Sequence, residues 1–412
     1  MDPGAHADCE SDGGADARGD GRQLALTVRA RLAGRDHTLR EAAAVCSAPA
    51  LFGVVAAALL LPTASPGATD TAPGTDAATG SYRWQLPSGF PLPAVPADNP
   101  MSEAKVALGR RLFFEPRLSV NGRYSCASCH DPRRAFSDGR SLALGATGEK
   151  LPHNALALVN VAYNISFGWA EPQVRSLEAQ MLKPLLGRHP IELGLAGLQA
   201  SVCAALAADP HYASAFAAAF PQGAGPHQDA ASPVTFDHIV KAIAAFERTL
   251  ISGSSPFDHY VFGGQHDALS DEAKRGMALF FSPAIGCGQC HSGFNFAGNW
   301  HDVQGMTGRA SFANNGTSAH PMRVPTLRNI ALTAPYMHDG RFATLAAVLE
   351  HYSDLGLHAQ TRGRGHQDRR LPQRPLTASE RTELAAFLES LTDESFVRRY
   401  AADANAPGFT GE

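Results

Sequence analysis

Two pentapeptides, Cys126-Ala127-Ser128-Cys129-His130 and Cys287-Gly288-Gln289-Cys290-His291, constrain this chain more than any other feature. A C-x-x-C-H string supplies two thiols that reach two vinyl groups on one porphyrin edge, and an imidazole immediately after them that binds iron from one face. A zinc site would want further Cys or His pairs at ligand spacing, and a thioredoxin-like redox pair would want a βαβ context. The sequence offers neither. It is therefore read as carrying two covalently bound haem c groups, one on Cys126, Cys129 and His130 and the other on Cys287, Cys290 and His291.

A weak internal repeat surrounds the two strings. LGRRLFF (108–114) precedes the first and RGMALFF (275–281) the second, and each segment starts near a serine, Ser102 or Ser270, followed by an acidic residue. A serine cap and an acidic first turn satisfy free N–H groups and complement the helix dipole. The fold expected is mainly α, with two cytochrome c-like helical haem domains packed against each other. Thr377 with Glu380 forms a capping box ahead of Leu384, Phe387, Leu388 and Leu391, the apolar spacing of a helix. Breaks in composition fall at residues 64–81, 221–234 and 358–375. The expected division is an upstream segment with a signal peptide at 1–68, a flexible leader at 69–99, haem domains at 100–255 and 256–394, and a tail at 395–412. Cys203 lies in the alanine-rich stretch LQASVCAALAA and reads as a small buried residue without a role.

The formal charge of −4 and the absence of long like-charge runs argue against a nucleic-acid partner. Residues 51–62 form the one strongly apolar run. Arg35 and Arg40 precede it and small residues follow, which is the order of a secretory signal cleaved after Ala68. The run is well short of the ~20 apolar residues that span a bilayer, so no stable membrane anchor is expected. A periplasmic location fits haem attachment outside the cytoplasm.

The chain resembles the bacterial di-haem cytochrome c peroxidase family, and within it the MauG-like branch. The resemblance runs from about residue 100 to about residue 394, through RLFFEPRLSVNGRYSCASCHDPRRAFSDG, HNALALVNVAYN, RSLEAQMLKPLLGRHPIELG, VPTLRNIALTAPYMHDGRF and the C-terminal helix. It implies that the first domain holds a high-spin peroxidatic haem whose distal pocket is built from Gln180, Pro184 and Glu192. Two extra residues within LLGRHP precede Glu192 relative to the family spacing. A carboxylate there suits the proton transfer that splitting a peroxide bond requires. Many relatives cap this iron at rest with a histidine about sixteen residues past the proximal one. Here that loop reads GRSLALGATGEK and has none, His153 being the nearest candidate, so an iron open without prior reduction is implied.

For the second haem the resemblance implies Tyr352 as the other axial ligand, with His351 and Met337 as rivals; a phenolate stabilises ferric iron. Trp169 matches a tryptophan placed between the haems. Asn154, Thr333 and Pro335 match an inter-domain calcium site of one side-chain oxygen and two backbone carbonyls. The expected activity is reduction of hydrogen peroxide with electrons from a small redox protein, a cytochrome c or a cupredoxin. Its rivals are MauG-like oxidation of residues on a partner protein, which Ile285 disfavours because a tryptophan two before Cys287 would support hole hopping, and non-enzymatic electron carriage by two six-coordinate haems.

Overall fold

A computed structural model of the protein describes residues 82–221, 233–298, 312–313, 322–362 and 370–405, together with Arg29. The first module contains α1 (Glu103–Phe113), α2 (Leu177–Leu186), α3 (Gln199–Ala207), α4 (Pro210–Ala219) and α5 (Phe236–Glu247). The second contains α6 (Pro256–Val261), α7 (Asp271–Phe280), the single turn α8 (Cys287–Cys290), α9 (Leu345–Arg362) and α10 (Ala378–Glu389), and α11 (Glu394–Ala401) comes last. One antiparallel pair, β1 (Phe312–Ala313) and β2 (Met322–Arg323), sets Phe312 opposite Arg323. The fold is mainly helical, as two cytochrome c-like modules require. Among the described residues no helix is long and apolar enough to cross a membrane.

The serine caps form at both repeats. Ser102 accepts from the amide of Lys105 at the start of α1, and Ser270 from that of Ala273 at the start of α7. Thr377 and Glu380 close a capping box on α10. Each repeat then uses a glycine to bring two helices into contact. A Cβ on Gly109 would lie 1.8 Å from the carbonyl oxygen of Ala242 on α5, and one on Gly276 would lie 1.8 Å from that of Glu383 on α10. Close approach of backbones is what glycine allows there. The leucine and two phenylalanines that follow each glycine sit beside these crossings, where Phe113 and Phe280 are buried in their module's core.

Two large apolar cores result, the first built from residues up to Leu250 together with Phe396 and Tyr400 and the second from residues 257–391, with a smaller cluster of Phe90, Tyr163, Ile251 and Phe294 beside them. The two large cores meet at a polar joint. Asn160 and Asn329 both take left-handed backbone angles, φ of 58° and 59°. The Asn160 amide donates to the Ser252 carbonyl at 2.9 Å and that of Asn329 to the Ser252 hydroxyl at 2.8 Å. The Asp393 carboxylate accepts from the amides of Gly253 and Ser254 at 3.0 and 2.9 Å.

Three segments differ from the sequence expectation. Residues 395–405, expected to be part of a tail, continue α11 and a short 3₁₀ turn, and bury Phe396 and Tyr400 in the core of the first module. The leader is irregular over residues 82–99 but anchored, with Phe90 buried against the rings of Tyr163 and Phe294, which also touch each other. Helix α9 runs on to Arg362, into the break expected from residue 358. For the first two the deciding contacts are with residues far away in sequence, which local composition does not report. The expected secretory run and its cleavage point lie outside the described residues.

Candidate haem-binding active site

Each C-x-x-C-H string forms one tight turn that aims its histidine into a cleft. In the first, the Ser125 amide donates to the Ser128 hydroxyl at 3.0 Å and the His130 amide donates to the Cys126 carbonyl at 3.0 Å. In the second, Gly286 enters α8 at φ 79° and the His291 amide donates to the Cys287 carbonyl at 2.9 Å. The imidazoles are then fixed alike. His130 Nδ1 donates to the Phe136 carbonyl at 2.9 Å, and His291 Nδ1 to that of Phe296 at 3.0 Å. Both phenylalanines sit at positive φ, 60° and 51°, which turns their carbonyls back toward the ring. A bond at Nδ1 leaves Nε2 as the lone-pair nitrogen, the arrangement of a metal-ligating histidine.

Burial lowers the pKa of both histidines, which favours the neutral imidazole that binds iron. It also pushes the Cys129 and Cys287 thiols up to about 12. That is the opposite of the depressed thiol of a disulfide-exchange pair. The cleft at His130 encloses about 1520 Å3 counted to its open mouth, and the one at His291 about 1200 Å3. Thiols, oriented imidazole and largely apolar walls thus fit a haem c in each cleft.

The His130 cleft gathers Gln180, Pro184, Glu192 and Trp169 around one space. Gln180 and Pro184 lie one turn apart on α2. Glu192 lies on the irregular return after that helix, held where the Leu193 amide donates to the Pro184 carbonyl at 2.8 Å. The histidine-free loop GRSLALGATGEK packs on this return. The Ala146 amide donates to the Glu192 carbonyl, Glu149 accepts from the Ile191 amide at 3.0 Å, and a Cβ on Gly145 would lie 1.9 Å from the Ile191 oxygen. Burial and the nearby charge of Glu171 raise the Glu192 pKa, while Lys183, paired with Glu171, pulls it down. The Gln180 carbonyl oxygen is buried with no hydrogen-bond partner among the described residues.

The His291 cleft is lined by Tyr352 on α9 and by Met337, whereas the neighbouring His351 is absent from its lining and packs 5.1 Å from the Phe342 ring. Ile285 is buried in the second core. Between the clefts stands Trp169, which lines both and donates from its indole N–H to the Asn154 carbonyl at 3.0 Å. His153 borders the His130 cleft and His338 the other, with their rings 5.3 Å apart and each within about 6.4 Å of the indole. Asn154, Thr333 and Pro335 line one small cavity nearby. The Asn154 amide nitrogen donates to the carbonyls of Pro335 and Met337, at 3.1 and 2.8 Å, and its oxygen is buried without a partner among the described residues.

Several groups in these clefts were not singled out from the sequence. Glu247, at the end of α5, lines the His130 cleft, and burial raises its pKa to about 8. Measured from the two glycine crossings, its counterpart on α10 is Leu388, which lines the other cleft. Arg323 borders both clefts. The signal that could have drawn attention here is a longer repeat: HNALALVN leads to Asn160 as RVPTLRN leads to Asn329, the two left-handed asparagines of the joint.

Two helical modules, each presenting a paired-thiol haem turn, with a tryptophan between them, define a di-haem c-type oxidoreductase. Residues 103–266 match the family described as di-haem cytochrome c peroxidase. The chain is 36% identical over 351 residues to the methylamine utilization protein MauG of Methylorubrum extorquens, spanning 83% of this chain and 93% of that one. It is 31% identical to the cytochrome c551 peroxidase of Nitrosomonas europaea, over 74% and 84% of the two chains. A solved MauG-like protein associated with microbial copper homeostasis superposes with a TM-score of 0.70 at 36% identity, covering 80% of this chain and 99% of the other. The fold alone is shared with the di-haem peroxidase BthA of Burkholderia thailandensis, at 22% identity and a TM-score of 0.56. The chain belongs to the di-haem cytochrome c peroxidase family, and haem c is its cofactor.

Proposed function

We propose that the protein reduces hydrogen peroxide to water in the His130 cleft, with electrons from a small redox protein entering through the His291 cleft. The observation that carries this reading is the half-buried Glu192, with a raised pKa, in the same cleft as Gln180 and the oriented His130. When bound, the haem supplies the iron at which the peroxide oxygen–oxygen bond is cleaved and the route by which electrons reach it. Ionised Glu192 takes the proton from one peroxide oxygen and returns it to the other, which leaves as water. Gln180 orients the peroxide by hydrogen bonding, and Pro184 shapes the wall. Lys183, by holding Glu171, keeps the second carboxylate from acting as a competing proton acceptor.

Trp169, fixed by its bond to Asn154, serves as the bridge for an electron or hole between the clefts. Tyr352 is the proposed second ligand at the His291 haem, supported by its place in that cleft. Calcium is proposed at Asn154, Thr333 and Pro335. Turning the Asn154 amide over would set its oxygen beside the Pro335 and Met337 carbonyls, an oxygen array suited to that ion. The electron donor is proposed as a periplasmic cytochrome c or cupredoxin, reached after export by the apolar run at residues 51–62.

A second reading, peroxide-driven oxidation of residues on a partner protein, is favoured by the 36% identity to a protein named MauG. The two are separated by steady-state peroxide consumption with reduced cytochrome c or reduced cupredoxin, without pre-reducing the enzyme. Sustained turnover supports the peroxidase. Turnover absent with both donors sinks it in favour of the partner-oxidation reading.

A further inference from the structure

Three arginines among the described residues are buried to 5% exposure or less: Arg248, Arg323 and Arg328. Two carry their own counter-charge. Arg248 pairs with Glu178 at 2.8 Å, and Arg328 with Asp258 at 2.9 Å. Arg323 pairs with no carboxylate among the described residues, although Glu171, Glu192 and Glu247 line the same cleft. Burial alone acts on it and lowers its pKa to about 10. A buried cation without an anion is strongly disfavoured, so a folded chain that keeps one at this place has an anion to meet it.

The position says which anion. Arg323 borders the His130 cleft, the His291 cleft and the small cavity between them. Its Nε donates to the Gly168 carbonyl at 2.9 Å and its backbone amide to the Trp169 carbonyl at 2.7 Å, which leaves the outer nitrogens of the fork to act elsewhere. A haem is an apolar ring whose anionic groups are its two propionates, and a planar guanidinium is suited to gripping a carboxylate with two parallel bonds. Met322 and Arg323 belong to the second module, and Gly168 and Trp169 to the first.

We propose that Arg323 is the anchor for a haem propionate, holding the carboxylate edge of one or both cofactors against the Trp169 loop and so fixing the haems relative to the indole between them. The proposal rests on haem occupying both clefts. Arg323 is a positioning residue, and its positive charge also favours the reduced state of the haem it grips.

The test replaces Arg323 in the full-length holoprotein. Haem stoichiometry by pyridine haemochrome is measured first; fewer than two haems in the wild type would refute the di-haem reading itself, independently of Arg323. In Arg323→Met with two haems bound, spectroelectrochemistry should show the midpoint potential of at least one haem shifted downward. Resonance Raman should show the propionate bending band displaced for the same haem, and which haem responds identifies the one gripped. Arg323→Lys, which keeps the charge but loses the fork, should restore most of the potential while leaving the band displaced. Unchanged potentials and bands in Arg323→Met would overturn the proposal. Should that variant fail to assemble, an unshifted propionate band in Arg323→Lys overturns it equally.

Discussion

Replacing Glu192 by Gln keeps the side chain's volume and hydrogen-bonding reach but removes its capacity to carry a proton. Positioned proton transfer contributes roughly 100- to 10,000-fold, which corresponds to about 2.7–5.4 kcal/mol of barrier. The surroundings place the loss toward the upper part of that range, about 1,000-fold or more. Glu171, the carboxylate whose charge acts on Glu192, is held by Lys183 and is not free to substitute. The sign of the pH dependence also follows. Glu192 must be ionised to accept the first proton, so turnover should rise with pH through its pKa, which burial and Glu171 hold above the usual carboxylate value. Lys183→Met removes the opposing charge and should move this acid limb to higher pH, whereas Glu171→Gln should move it lower. The assay is steady-state peroxide consumption with reduced cytochrome c, followed across pH for the wild type and all three variants. Unchanged turnover in Glu192→Gln would remove Glu192 from the mechanism, and opposite shifts of the limb would refute the electrostatic account.

Tyr352→Phe should alter the low-spin ferric signal in resting electron paramagnetic resonance spectra and leave the high-spin signal in place; an unaltered low-spin signal would point to Met337 or His351 instead. Gly276→Ala places a methyl group where 1.8 Å separates it from the Glu383 oxygen, so α7 and α10 must part. The expected destabilisation is about 1–3 kcal/mol or more, read by thermal or denaturant unfolding, and a melt equal to wild type would show that the crossing is not tight. Arg328→Met leaves Asp258 buried without its partner and should cost about 3–5 kcal/mol in the same unfolding measurements. A variant as stable as wild type would show that the pair contributes nothing to stability.

Sequence legibility followed the range of the interaction. The haem turns were readable because both thiols and the imidazole lie within five residues, and the caps at Ser102, Ser270 and Thr377 because each acts within its own first turn. Gathering Gln180, Pro184 and Glu192 depended on family likeness, since the return that carries Glu192 is set by contacts to residues 145–149. The carbonyls that fix the imidazoles come from Phe136 and Phe296, whose positive φ no propensity announces for an aromatic residue. Glu247 and Arg323 were hidden for a related reason. In sequence they read as an ordinary helix-end acid and a lone basic residue, and their meaning lies in the clefts that distant segments close around them.

The return of α11 to the first module bears on how the chain is made. Phe396 and Tyr400 pack against Phe136, at 6.0 and 5.4 Å between ring centres, and Tyr400 also approaches Phe246. The helices of the first module are therefore made before those of the second, yet the core they build is finished only by residues that follow the second module in the chain. Until then it exposes an aromatic patch beside the turn that carries His130, the kind of surface that invites association of incomplete chains. Truncation after residue 391 would hold the protein in that state, however intact both haem motifs remained.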